Sequence, residues 1–205
     1  SSWTEVADLN TGRQGTKGTP GGSQTATLAI AGVDASPQAF GEVESWNGSS
    51  WTEIADLNTD RDPLIGAGTT TAALAAGGGY PTKNESEEWD GSSWTEGDNL
   101  NLARASGGGC GSQTAALAAA GTTGPGDTRT ETESYNGSSW TEIGDLNTGR
   151  RNEIGMVGTT DLALVAGGGV PAATGNVEEF DGVAWTEVAN LSTARYGLAG
   201  GGTQS

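Results

Sequence analysis

The chain is written in copies. The tripeptide Trp-Thr-Glu begins at Trp3, Trp51, Trp94, Trp140 and Trp185, each time followed by a polar tail containing a leucine, at intervals of 48, 43, 46 and 45 residues. A period in the forties is the mark of a propeller or a solenoid, where one supersecondary unit buries its apolar faces only against its neighbours. The period also bears on function. A catalytic constellation needs residues that break the copy, so a chain of near-identical units points away from a single unique site.

One copy shows what the unit is. After Arg61-Asp62-Pro63 comes a short strand at 64–68, a turn at Thr69-Thr70, and a strand of small side chains at 72–76. Gly77-Gly78-Gly79 ends it. A variable stretch at 80–84 leads to a third strand at 85–89, and Trp94-Thr95-Glu96 starts a fourth. Between the third and fourth strands recur Asn47-Gly48, Asp90-Gly91, Asn136-Gly137 and Asp181-Gly182. Such dipeptides predict tight hairpins with positive φ at both central residues. No stretch carries a helical period. Each copy therefore reads as a four-stranded antiparallel meander, a to d, with the glycines and alanines of a and b at a crowded centre and the aromatics toward the rim.

These residues resemble the kelch repeat. The pattern is a glycine doublet after a small-residue strand, then Glu-x-aromatic-Asp/Asn, a tryptophan, and a basic residue before the next strand. It is met by Gly78-Gly79, Glu87, Trp89, Asp90, Trp94 and Arg104, and again by Gly168-Gly169, Glu178, Phe180, Asp181, Trp185 and Arg195. The first and third copies keep one glycine of the doublet, Gly32 and Gly121. The resemblance implies an all-β propeller of four-stranded blades. On this reading 1–205 is a single repeat domain, with blades at 13–60, 61–103, 104–149 and 150–194. Residues 1–12 supply an outer strand, and 195–205 an inner strand, of an incomplete fifth blade whose two middle strands are missing. Three arrangements fit that count: a piece of a longer array, assembly with other copies through open edges, or a tighter four-bladed ring with spare end strands.

Composition narrows the partners. The 26 acids stand against two lysines and seven arginines, giving a formal net charge of −17. Such a surface repels phosphate backbones and anionic lipid, so neither nucleic acid nor a membrane is expected as a partner. The single Cys110 excludes an internal disulfide framework. Without histidine, neither zinc nor a nucleophile–histidine pair is expected. Asp60 and Asp62 offer clustered oxygens, but no twelve-residue calcium loop is present, and no cofactor is expected. The chain opens on Ser1 without methionine or signal peptide, and so reads as a processed product or a fragment.

Candidate contacts fall in two sets. The variable loops between strands b and c share one face of the scaffold, where binding specificity usually resides; they offer Tyr80, Lys83 and Arg129. A recurrent arginine, at Arg13, Arg61, Arg104, Arg150 and Arg195, either rings a central opening and holds a carboxylate or sulfate, or pairs locally and fixes one blade on the next. The second role is the commoner one for arginine. Glu42/Glu44, Glu85/Glu87 and Glu131/Glu133 alternate by two and share a face, but a catalytic carboxylate pair need occur only once. The expected function is a non-enzymatic binding or structural module whose partner is protein, by self-association or strand addition at the incomplete blade. The alternatives are a lectin with one weak carbohydrate site per blade and, further off, a glycan-active enzyme. The resemblance further implies a surface or virion-associated protein of marine microbes or their phages, hence an extracellular setting.

Overall fold

The structure is a computed structural model and describes residues 2–34, 38–62, 64–152, 154–170 and 172–202. Part of the first variable loop, at 35–37, lies outside the described residues, as do 203–205 at the end of the expected inner strand. Among the described residues there are strands and turns but no helix, and so none long and apolar enough to cross a membrane.

Four antiparallel four-stranded sheets follow one another along the chain. The first joins β1 (Lys17–Gly18), β2 (Thr27–Val33), β3 (Ala39–Trp46) and β4 (Trp51–Ile54). The second joins β5 (Ile65–Gly68), β6 (Ala73–Ala76), β7 (Ser86–Trp89) and β8 (Trp94–Glu96). The third joins β9 (Gly108–Ser112), β10 (Ala115–Ala119), β11 (Thr132–Tyr135) and β12 (Trp140–Glu142). In the fourth, β13 (Gly155–Gly158) and β14 (Ala163–Ala166) precede a small hairpin, β15 (Gly169–Val170) and β16 (Ala172–Ala173), and β17 (Val177–Phe180) and β18 (Trp185–Glu187) complete it. Repeated sheets in sequence order, each an up-and-down meander, make a propeller-like all-β fold.

The core lies between the sheets. Successive side chains of a strand point to opposite faces, and the middle strands are buried on both. From β6, Ala73 and Ala75 pack back on Leu28, Ile30 and Val43 of the first sheet, while Leu74 and Ala76 pack forward on Ala116, Ala118, Tyr135 and Trp140 of the third. A branched forward face thus meets an alanine-and-aromatic backward face at each junction. The rim payload is an aromatic pair from strands c and d: Trp46–Trp51, Trp89–Trp94, Tyr135–Trp140 and Phe180–Trp185, with ring centroids 4.9–5.4 Å apart. The rings are tilted by 34–41° to each other, and aromatic contact at that spacing adds to the area they bury.

Toward the centre the strands crowd, and glycine becomes necessary. A Cβ on Gly109 would lie 2.5 Å from Ile65 Cγ2 and 2.7 Å from the Gly66 carbonyl oxygen, and one on Gly108 would lie 2.8 Å from Ile154 Cγ1. The bare backbone of β9 is what lets it sit between β5 and β13.

Two sequence expectations need correction. The c–d turns are not two-residue hairpins. The last paired residues are Trp46 and Trp51, leaving four residues between them, and only the glycines have positive φ, between 87° and 95°. The asparagine or aspartate instead folds the loop from its side chain: Asn47 Oδ1 accepts from the Ser49 and Ser50 N–H groups at 3.0 Å, and Asp90 Oδ1 from those of Ser92 and Ser93 at 2.8 Å. The second correction concerns the ends. Residues 3–6 and 196–200, expected as strands d and a of a fifth blade, form no strand. A strand needs a ladder, and each of these segments lacks the neighbour that pairs its equivalents elsewhere.

Candidate functional site

The recurrent arginine is the best-defined polar feature of the molecule. Arg13 pairs with Glu44, Arg61 with Glu87, Arg104 with Glu133 and Arg150 with Glu178, each arginine meeting the glutamate in the third strand of its own sheet. The Nη1 of each also donates to a backbone carbonyl two residues earlier on that strand or its approach, at 2.5–2.8 Å: Glu42, Glu85, Glu131 and Asn176 in turn. The four glutamates are buried, as are Arg61, Arg104 and Arg150.

Each carboxylate is held from the other side as well. The glutamate accepts from an asparagine backbone N–H at 2.7–2.8 Å and from that asparagine's amide at 2.8–2.9 Å, the donors being Asn10, Asn58, Asn101 and Asn147. The next residue's N–H reaches the other carboxylate oxygen at 3.3 Å. Burial raises the Glu44 pKa, yet it ends below the usual carboxylate value because the N–H groups of Asn10 and Thr11, the Asn10 amide and Arg13 outweigh burial. Burial lowers the pKa of Arg61 and Arg150, against the pull of Glu87 and Glu178. A buried ion pair is tolerable only when its remaining donors and acceptors are satisfied, and this latch nearly satisfies all of them.

The asparagine was the member that sequence reasoning missed. It recurs three residues before Arg13, Arg61, Arg104 and Arg150, with Ser192 in its place before Arg195. That fixed spacing was the available signal.

The arginines therefore do not line the central space. A cavity of about 440 Å³ lies among the inner strands, lined by residues of β1, Gly66, Gly108, Gly109, Met156 and residues 197–200, with none of the repeated arginines. Arg195, the fifth copy, is exposed and stands at a second cavity of about 260 Å³ beside Val157, Leu164 and Leu198.

The variable-loop residues are brought onto one face. Tyr80 is exposed, and its hydroxyl lies 3.4 Å from Ser106 Oγ of the next module. Thr82 Oγ1 donates to the Thr123 carbonyl at 3.3 Å and ties the second and third loops together. Lys83 is half-buried in the same loop. Arg129 is occupied within its own loop: it pairs with Glu131 and, more distantly, with Asp127, and the hydrogen bonds it donates to the Glu131 carboxylate raise its pKa. The blade aromatics are buried or half-buried against one another, so their faces are not presented to solvent. Cys110 is fully buried between the third and fourth sheets, and burial alone pushes its thiol up to about 12. Among the described residues no group of three His, Cys, Asp or Glu side chains is placed to hold a metal ion.

No family model and no curated protein matches the sequence. In three dimensions the chain is similar to the solved structure of YjhT, with a TM-score of 0.72 and 15% sequence identity, over 92% of this chain and 68% of that one. A likeness at that identity speaks to the fold, and it agrees with a propeller-like arrangement of repeated four-stranded sheets.

Proposed function

We propose that the chain is a non-enzymatic binding or structural module, a kelch-like propeller that works as part of a larger or self-assembling surface structure. The observation that carries this reading is what the repeats do with their chemistry. The third-strand glutamate and the arginine that recur in every complete module are spent on the same buried latch, and the aromatics on the same rim pair. What differs from copy to copy is the face of loops between strands b and c, together with the unfinished edge where a fifth blade would stand.

Both of those are surfaces for recognition rather than for bond-making. A protein partner suits them best, since the acidic surface disfavours nucleic acid and anionic membranes. A carbohydrate site would have to be built from the loops around Tyr80 and Lys83, because the rim tryptophans are taken up in packing.

Two assays test the reading. Incubation with a panel of acidic polysaccharides, read by new reducing ends, is expected to give none; sustained turnover by purified protein would overturn it. Native mass spectrometry at near-physiological salt then separates the two forms of the proposal. A monomer leaves the open edge for a foreign partner, and a discrete oligomer makes self-assembly the role.

A further inference from the structure

The turns between strands c and d come in two chemical versions of one shape. In each sheet a backbone bond closes the turn, from the N–H of Asn47 to Ser50 O at 3.3 Å, Asp90 to Ser93 O at 3.2 Å, Asn136 to Ser139 O at 3.2 Å and Asp181 to Ala184 O at 3.3 Å. In each, the first side chain also accepts through Oδ1 from the N–H groups two and three residues on. Those distances are 3.0 Å at Asn47, 2.9 Å at Asn136, 2.8 Å at Asp90 and 2.9 Å at Asp181. The fold therefore treats asparagine and aspartate alike here, and all four residues are exposed.

The first version is placed to become the second. Asn47 and Asn136 are the two asparagines of the chain that precede glycine, so no side chain shields the next backbone nitrogen. Among the described residues the N–H groups of Gly48 and Gly137 make no hydrogen bond. The two N–H groups on Oδ1 stand where negative charge develops when that nitrogen attacks Cγ, and donors so placed lower the barrier. At Asn47 the Ser49 hydroxyl adds a third donor at 2.9 Å.

We infer that Asn47 and Asn136 are self-modification sites, where the folded turn converts asparagine to aspartate without an enzyme. The glycine nitrogen gives its proton to solvent and bonds to Cγ. The Cγ–Nδ2 bond breaks, ammonia leaves, and a succinimide ring closes. Water then opens the ring. Addition at Cγ restores the ordinary main chain and leaves aspartate. Addition at the backbone carbonyl carbon leaves isoaspartate, with one extra methylene in the main chain. Both products can close again to the same succinimide, so the one that the turn holds accumulates.

Aspartate is that product. Asp90 and Asp181 already fill the position with the same bonds. Hydrogen bonds from the Ser92 hydroxyl and Ser93 N–H at Asp90, and from the Ala184 and Val183 N–H groups at Asp181, hold both carboxyls below their usual value. A depressed folded value means that the charged form stabilises the turn at neutral pH, and donors bond a carboxylate more strongly than an amide. The extra methylene of isoaspartate lengthens the segment that the closing bond spans. The conversion places new negative charge beside the a–b turns, since Gly48 lies against Thr25 and Gly137 against Thr114.

The test is to age the full chain at mildly alkaline pH, in buffer and in parallel in guanidinium chloride, and to map peptides with aspartyl and isoaspartyl forms separated. In buffer Asn47 and Asn136 are expected to convert while the other asparagines persist, with aspartate the main product. In guanidinium chloride isoaspartate is expected to predominate, because no turn selects between the products. Asn47 and Asn136 unchanged in buffer, or isoaspartate predominating there, would overturn the inference. A second measurement needs no ageing. The double variant Asn47→Asp, Asn136→Asp is expected to keep a urea midpoint at neutral pH no lower than that of the parent chain. A lowered midpoint would mean that the turn rejects the product, and would overturn the inference equally.

Discussion

At the scale of single residues, burial decides what a repeated side chain is worth. Arg61 and Glu87 are both removed from water, and deleting one leaves an uncompensated charge inside the protein. Glu87→Gln is therefore expected to cost about 3 kcal/mol, seen as a lowered urea midpoint, while Lys83→Ala, half-buried in a loop, should stay within about 0.5 kcal/mol. Glu44 brings pH into the account. Its folded pKa is depressed, so the unfolded chain binds more protons once pH enters the carboxylate range. The stability it contributes is present above its unfolded value, about 4.3, and is lost as pH falls through the lower folded value. Urea midpoints should decline over that interval, and less steeply in Glu44→Gln. Cys110, its thiol pushed up to about 12, should resist a thiol reagent until the protein is unfolded; fast labelling of the native chain would contradict its placement. At this scale the sequence was only partly legible. Glu42 and Glu44 share a strand face, and nothing in the spacing says which of them the arginine buries.

Elements were easier to read, because alternation and turn chemistry are local. The strand of small residues predicted at 72–76 is observed as Ala73–Ala76, and the one at 85–89 as Ser86–Trp89. The turn between c and d was located correctly and misassigned in type, since Asn-Gly serves a two-residue hairpin and an Asx-closed four-residue loop equally well. Asp90 shows the second use: hydrogen bonds from the Ser92 hydroxyl and from the Ser93 and Ser92 N–H groups hold its carboxyl down at about 2. Crowding at the inner strands could not be read from a glycine-rich run alone. It predicts that Gly109→Ala, whose methyl would press on the Gly66 carbonyl, destabilises by about 1–3 kcal/mol. At the rim, Trp94→Ala should cost about 3–5 kcal/mol, while Trp3→Ala should leave thermal unfolding unchanged, because Trp3 packs on nothing.

For the molecule as a whole, the same module meets two different environments. Inside the array every latch, leucine and rim aromatic has its partner from an adjacent strand or sheet. After the fourth sheet Arg195 is seated by its backbone as Arg104 and Arg150 are, but among the described residues no carboxylate pairs with it. The repeat made the fifth set visible in the sequence. Its failure to form strands was not legible, since a strand-like pattern records a preference and a ladder requires a neighbour. Arginines identical in sequence position thus differ in whether a glutamate strand meets them. The most direct test is a comparison of urea unfolding for Arg104→Ala and Arg195→Ala. A loss of about 3–5 kcal/mol is expected for Arg104→Ala and a change within about 0.5 kcal/mol for Arg195→Ala. Equal losses at the two positions would contradict it, because Arg195 would then have to be latched within the chain.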